Sequence, residues 1–441
     1  MKKESFNLSF LQSPHPRSGQ SLVEVVIGLA IGAILMGTAA FAVTTMLRTN
    51  LTSERSQFAS HFAQALSDNV RAFAAGSWDG VYRLTKATST HYFLNASGTT
   101  FFVVEGEEGV FDGEVPDGLT GRWGFDEVET STSTTAYDAT GNGRHATLNG
   151  PSRATSTCMI GNCLNFDGVN DVMTISNGSS EVVPAGNAAF SLSLWFNADA
   201  VGTSTLRSLA SNETYAASGF RFGIGESDPQ KLKFWSTESG GTISLTSTST
   251  IAAGTRYHAV VVYTGSSATL YVDGAEEHTD SSGIVVSNTN DIKIAGAIGG
   301  KEYFDGTLDD VRFYNRALSS EEVRQLSHSG AYERFFTVEN ACRTNDASST
   351  IASTAPCGGT LEDGSTQWAT AYVRWVAGAG TGEITLPVIL TRSRNAVFRQ
   401  TDWSGGAASE GAVAEPTSKF ASSTNASTTG GTIQIQNLSQ Q

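Results

Sequence analysis

Glu24 is the residue whose type and position most plainly demand chemistry. It stands at the mouth of residues 25–47, a run of 23 without a charge. At 1.5 Å per residue this run makes about 35 Å of helix, enough to cross a bilayer core. A carboxylate at membrane depth costs about 2.5–3.5 kcal/mol on insertion scales. Glu24 therefore needs a partner, and the run supplies no cation. The four cysteines are the next candidates. Cys158 and Cys163 form one close pair, Cys342 and Cys357 another. Outside the cytoplasm, an even count at short spacing suggests two disulfides. The other reading is one zinc site built from all four thiolates, which would need distant segments to meet. The 7 histidines are scattered and suggest no metal cluster. Asp309 and Asp310 are adjacent, so on a regular strand they would point to opposite faces.

The elements that must position these residues follow from composition and periodicity. A chain of 441 residues suggests two to three domains. Lys and Arg number 28 against 43 Asp and Glu, a net charge of −15. That argues against a nucleic-acid partner and against a polybasic grip on anionic lipid. The mean hydropathy of −0.14 excludes a polytopic membrane protein. One segment alone is apolar enough to span. Lys2, Lys3 and Arg17 precede it, which keeps the N-terminus cytoplasmic and sends the rest outward. A secretory signal peptide fits poorly, because the apolar run exceeds the usual ~7–15 residues and no A-x-A site ends it. Beyond Arg48, Phe58, Phe62, Leu66, Val70 and Phe73 make one apolar stripe, and Gly76 would end the helix. The runs 81–84, 91–94 and 99–105 read as strands.

The stretch Ser18-Gly19-Gln20-Ser21-Leu22-Val23-Glu24-Val25-Val26-Ile27 resembles the cleavage and methylation segment of type IV prepilins. The resemblance implies a peptidase cut between Gly19 and Gln20. The new amine at Gln20 would lie one helical turn from Glu24. In that family the carboxylate pairs with the amine of a neighbouring subunit, which makes two buried charges tolerable together and sets the register of assembly. Gln20 stands where the family usually carries Phe. The proline common about twenty residues into mature pilin helices is absent, so local melting would fall to Gly37. Gly28 and Gly32 form a small-xxx-small face for close helix packing.

From residue 119 onward, alternating runs recur every ten residues or so, as in Phe190-Ser191-Leu192-Ser193-Leu194-Trp195-Phe196 and Leu232-Lys233-Phe234-Trp235. Period-2 patterning over many strands implies two antiparallel sheets face to face. Asp273-Gly274 reads as a hairpin turn and Ser319-Ser320-Glu321-Glu322 as a capping box. The phrases Gly121-Arg122-Trp123-Gly124-Phe125-Asp126-Glu127, Leu164-Asn165-Phe166-Asp167-Gly168 and Phe304-Asp305-Gly306-Thr307-Leu308-Asp309-Asp310-Val311-Arg312-Phe313-Tyr314 resemble a laminin G-like jelly roll of the concanavalin A-like superfamily. That resemblance implies a binding module. The glucanases of the superfamily carry acids alternating along one strand, and no E-x-D-x-x-E run occurs here. Retaining hydrolysis needs two carboxylates about 5–5.5 Å apart, so the expectation is a non-enzyme. Asp126, Asp138, Asn142 and Asp310 sit in phrases where related jelly rolls hold a structural ion, which makes calcium an expected cofactor. The alternative is that these are turn and cap residues.

The expected organisation is a prepilin leader at 1–19 and a discontinuous α+β pilin-like domain, 20–113 with 331–403, with a spine helix over 22–75 and a membrane span of about 25–47. An all-β jelly roll at 119–328 is inserted in it, and a Ser/Thr/Gly-rich tail occupies 404–441. Pro387 marks an edge strand. The expected role is a minor or tip subunit, processed by prepilin peptidase and assembled with other pilin-like subunits. It would start in the cytoplasmic membrane and then display the jelly roll outside the cell to a glycan or surface protein. The alternatives are a pseudopilin-type part of a secretion or DNA-uptake system and, less favoured, a glycan hydrolase.

Overall fold

The computed structural model describes residues 22–392, apart from 98–99, 129–133, 178–179, 202–204, 214–217, 226–227, 239–240, 283–287, 301, 329, 345–350, 355–356, 358–360 and 378–379. The leader 1–19 and the tail 404–441 lie outside the described residues. The chain divides into two units, 1–55 and 56–441. Helix Leu22–Gly76 contributes to both.

In the first unit, Val26–Met46 has a mean hydropathy of 2.3, and none of it is buried. Its apolar residues point all round, as in a helix surrounded by lipid. The hydroxyls of Thr38, Thr44, Thr45 and Thr49 donate back to backbone carbonyls of the preceding turn, at 2.8–3.0 Å. That satisfies them without water.

In the second unit the helix lies on a seven-stranded antiparallel sheet. The expected stripe is present, but its first half is centred on Ala59 and Ala63, with Phe58 and Phe62 packed at the margin. Small residues let the helix approach the sheet closely there, and Phe62 meets Tyr332 edge-on with ring centroids 5.3 Å apart. Leu66, Val70 and Phe73 continue the contact onto Tyr92, Phe336 and Val338. Residues 81–84 are not a strand. Ser77 accepts a hydrogen bond from Gly80 N at 3.3 Å and caps a short helix, Trp78–Tyr82, with Trp78 and Val81 buried. Local capping outweighs the β-branched and aromatic composition of that run.

The strand order in this sheet is Thr100–Glu105, Ala87–Ser97, Ala331–Arg343, Leu361–Ala377, Gly380–Thr391, with Glu108–Phe111 and Ile351–Thr354 also on Ala331–Arg343. Strand Gly380–Thr391, which carries Pro387, is an edge as expected. Strands from before residue 112 and after residue 330 thus share one sheet. Between them the chain leaves and returns at one hydrogen-bonded pair. Asp112 N donates to Gly330 O at 3.1 Å, and Gly330 N donates to the Asp112 carboxylate at 2.7 Å.

The excursion is a sandwich of two eight-stranded antiparallel sheets, a jelly roll in layer and sequence pattern. Strands Phe190–Ala198, Arg256–Tyr263 and Asp305–Tyr314 form the middle of one sheet, and Arg207–Ser211, Arg221–Gly225 and Asp228–Glu238 lie in the other. Phe190, Leu192, Phe222, Phe234 and Phe313 fill the core between them. Phe190–Ala198 is buried along its whole length, because its outer side is also covered. Ser191 Oγ accepts from Leu318 N at 3.0 Å and donates to Arg316 O at 2.9 Å. Helix Ser320–His328 follows, capped reciprocally by Ser319 and Glu322. Asp273 and Gly274 both take left-handed φ values, 50° and 80°, which the tight hairpin requires.

Both disulfides form, Cys158–Cys163 and Cys342–Cys357, and the described cysteines leave no thiolate for zinc. Loop closure predicts that Cys→Ser replacement of the 342–357 pair costs about 3 kcal/mol and of the 158–163 pair about 2 kcal/mol. Urea denaturation of the two double variants checks this. Unchanged midpoints would contradict it.

Candidate functional site

Gly19 and Gln20 lie outside the described residues. Glu24 falls within helix Leu22–Gly76, and its side chain lies outside them. The side chains described near the expected calcium residues form a joint between the seven-stranded sheet and the sandwich. Arg122, on strand Leu119–Trp123, is 7% exposed. Its Nε donates to Asp310 at 2.8 Å and an Nη donates to Gly109 O at 2.8 Å. The other Nη lies 3.3 Å from Glu114. Asp126 accepts from Gly109 N at 2.8 Å. The Gly109 peptide, part of the seven-stranded sheet, is thus gripped at both its N–H and its C=O by sandwich side chains. Arg312 completes the network, donating to Asp310 at 2.7 Å and to Glu114 at 3.0 Å.

The four residues expected to hold calcium make these contacts within the protein. Each Asp310 oxygen accepts from a buried arginine. Asp138 accepts from Arg122 N, Thr140 N and Arg144 N. Asn142 donates to Thr120 O and Thr140 Oγ1. Asp126 is spanned by Gly109 N and Asn162 N. Among the described residues no group of His, Cys, Asp or Glu is arranged to hold a metal. All four thus take part in hydrogen bonds within the protein. A cavity of about 20 Å³, lined by Asn95, Glu108, Arg122, Asp126 and Glu127 among others, holds at most one water.

Asp309 and Asp310 do not point to opposite faces. Asp310 takes φ 45°, and the pairing with Phe190–Ala198 shifts there. This is a bulge, with one extra residue between Leu308 and Val311, which both enter the core. Both acids therefore lie outside the core, beneath the joint. Asp309 accepts from Met159 N at 2.7 Å and Ile160 N at 3.1 Å, both in the loop closed by Cys158–Cys163. Burial, then the neighbouring Asp310, pushes the Asp309 carboxyl up to about 8. Burial, then Asp309, raises Asp126 well above the carboxylate range. For Asp310 burial acts the same way, but Arg312 and Arg122 outweigh it and hold the group below its ordinary value. Sequence spacing could not have shown Asp309 as part of this joint, since the bulge depends on the partner strand.

Ser193 Oγ lies 2.8 Å from His258 Nε2. Burial drops this imidazole to about 3, so it is neutral. Both residues are 1% exposed, which makes the pair a core hydrogen bond that no substrate reaches.

The outer face of the other sandwich sheet carries a continuous row. The register places Thr174 opposite Lys293, Lys293 opposite Ser211, Ser211 opposite Arg221, Arg221 opposite Trp235, and Trp235 opposite Ser244. Directly opposed residues share a face. The Arg221 guanidinium lies over the Trp235 ring, 4.6 Å from its centroid. It also pairs with Glu213 at 2.8 Å and Glu302 at 2.9 Å. Lys293 Nζ donates to Thr174 Oγ1 at 2.9 Å. Ser208 Oγ, Ser211 Oγ and one Glu302 oxygen are buried with no protein partner. The alternation of residues 220–224 and 232–235 showed strands, but the phase between them is set by register, which the sequence does not print.

Residues 15–40 match the prokaryotic N-terminal methylation motif, and residues 167–324 match the concanavalin A-like lectin/glucanases superfamily. The chain therefore carries a prepilin-type N-terminus and a laminin G-like, concanavalin A-like sandwich. No curated protein matches it. Among solved structures, domain 4 of the extracellular arabinanase AbnA from Geobacillus stearothermophilus, in complex with arabinotriose, is 17% identical with a TM-score of 0.36, over 48% of this chain and 98% of that one. The binding domain of Paraclostridial Mosquitocidal Protein 1 is 14% identical with a TM-score of 0.39, over 59% and 76%. Trypanosoma rangeli sialidase is 17% identical with a TM-score of 0.36, over 47% of this chain and 32% of the sialidase. Likeness at this level concerns fold and carries nothing about ligand or reaction.

Proposed function

We propose that this chain is a pilin-like minor or tip subunit that displays its sandwich outside the cell for adhesion to a glycan or protein. The observation that carries this reading is the hydrogen-bonded pair Asp112–Gly330, where the sandwich leaves and rejoins one sheet. Around it, residues 20–113 and 331–403 form one discontinuous pilin-like domain with 119–328 inserted. The helix packs its soluble half on that sheet and offers Val26–Met46 to the membrane. Cleavage after Gly19 frees the Gln20 amine, and Glu24 pairs with such an amine on a neighbouring subunit. The bulk of a sandwich hung on the sheet suits a tip or minor position. Catalysis is not part of this reading. Asp126, Asp309 and Asp310 are at most 4% exposed, closed off from any glycosidic bond.

The test is the mass of the mature protein, recovered from its native cells, together with protease treatment of whole cells. The expected product begins at Gln20, and its sandwich is cleaved from outside. Retention of residues 1–19 overturns the assembly half of the proposal. A sandwich shielded in intact cells overturns the display half.

A further inference from the structure

We infer that the segment Thr432-Ile433-Gln434-Ile435-Gln436 pairs antiparallel with strand Gly380–Thr391 of its own chain and closes the open edge of the seven-stranded sheet. The segment lies outside the described residues, and the edge lies within them. Strand Gly380–Thr391 runs 12 residues along Leu361–Ala377 without a register shift, and no other described strand pairs with it. Just past its end, Arg392 N donates to Ser365 O at 3.0 Å. In an antiparallel ladder, alternate residues turn both backbone groups to the same neighbour. Gly382, Ile384, Leu386, Val388 and Leu390 therefore bond inward, while Thr381, Glu383, Thr385 and Ile389 turn N–H and C=O outward. Pro387, which has no N–H, falls in the outward set.

Elsewhere the molecule closes an edge with side chains. Along edge strand Gly241–Thr246, Ser244 N donates to Asp280 at 2.7 Å and Thr246 N to His278 Nδ1 at 3.0 Å. Just beyond it, Thr248 N donates to Glu277 at 2.7 Å. No described side chain accepts from the outward N–H groups of Thr381, Glu383, Thr385 or Ile389, and the Glu383 carboxylate turns to Arg374. A long open edge is a template for another strand, and the side chains select which. Ile384 and Leu386, on the helix side, are only partly covered, so the incoming strand must be apolar on that face and polar on the other. Ile433 and Ile435 alternate with Thr432, Gln434 and Gln436, and no charged side chain follows Lys419. With Ile433 beside Leu386 and Ile435 beside Ile384, Gln434 falls beside Thr385 and Gln436 beside Glu383. Thr432 then meets Pro387, where the missing donor ends the ladder. An uncharged, β-branched run left in water is prone to aggregate, and this pairing shelters the run and the edge together. Residues 393–431 intervene, which at about 3.3 Å per residue can return along a 12-residue strand. A second copy joined edge to edge would bring two Pro387 residues into one ladder and forfeit two donors.

The test is residue-resolved amide hydrogen exchange in detergent micelles on three proteins: the full chain, a chain ending at Gly431, and the full chain carrying Ile433→Asp with Ile435→Asp. In the unaltered full chain, the Glu383 and Thr385 amides are expected to exchange about tenfold slower than in the other two. Ile384 and Leu386, bonded to Leu361–Ala377, are the internal control and stay slow in all three. Fast exchange at Glu383 and Thr385 in the full chain overturns the proposal. Slow exchange that survives loss of 432–441 gives the edge to another occupant and overturns it as well. Protection that rises with protein concentration assigns the edge to a neighbouring copy and overturns pairing within one chain. None of these outcomes touches the Gln20 processing test.

Discussion

Replacing Arg122 with methionine is expected to cost the folded protein about 3–5 kcal/mol, the usual penalty for breaking a buried ion pair from one side. Three neighbours lose their partner at once. Asp310, 4% exposed, keeps only Arg312. Glu114 loses one of its two cations, and the carbonyl of Gly109 loses its donor. Desolvation of Asp310 is then no longer balanced, and the methionine fills volume without supplying charge. Because Arg122 bridges strands Leu119–Trp123, Asp305–Tyr314 and Glu108–Phe111, the damage should concentrate at the joint. Amide exchange at residues 105–112 is expected to rise well before exchange in Phe190–Ala198. A comparison is available in Arg324, whose pair with Glu321 at 2.5 Å is more than half exposed. Arg324→Met should leave the urea midpoint essentially unchanged. Adding Asp310→Asn to Arg122→Met should recover part of the loss, since the stranded charge is gone. Urea unfolding of the four proteins measures this. A loss below about 1 kcal/mol for Arg122→Met would show that Arg122 is solvated and the joint loose.

How much of this could be read from the chain depends on whether a signal is local. The apolar N-terminal helix was legible because hydropathy is a property of consecutive residues. The strands of the sandwich were legible for the same reason, as was the hairpin at Asp273-Gly274, where only two residues decide the turn. The cysteine pairs were legible because each partner is near in sequence. The joint was not. Asp310 pairs with Arg122, 188 positions away. Adjacent acids on a strand should alternate, but the bulge opposite Leu194 puts both on one side. Residues 81–84 look like a strand until the cap at Ser77 is weighed against them. The row containing Arg221 and Trp235 is invisible for a deeper reason. Alternation gives each strand two faces, and only pairing with neighbours says which residues stand side by side.

The second large effect follows from the Asp309 carboxyl. One oxygen accepts from Met159 N and Ile160 N, the other is buried without a partner. Burial and Asp310 push the group up to about 8, so the folded protein holds it protonated at neutral pH. In the unfolded chain it ionises near about 4. Between about pH 4 and pH 8 the folded state therefore binds one proton more, and its stability falls as pH rises, by up to about 1.4 kcal/mol per unit. The advantage is whole below about pH 4 and gone above about pH 8. Asp309→Asn removes the proton while its amide oxygen still accepts both backbone N–H groups. The variant should be more stable than the parent at pH 8, with the gap closing toward pH 5. Asp126 shifts in the same direction and is present in both proteins. Asp310 loses its stabilising ionisation only below its own unfolded pKa, outside this window. Subtracting variant from parent thus reports Asp309 together with its coupling to Asp126. Urea unfolding at pH 5, 6.5 and 8 checks the sign, and a parent–variant difference that stays constant across the three would mean Asp309 is already ionised in the fold. If the gap opens as expected, the loop closed by Cys158–Cys163 is held to the joint by a neutral acid, and alkali rather than acid is what loosens it.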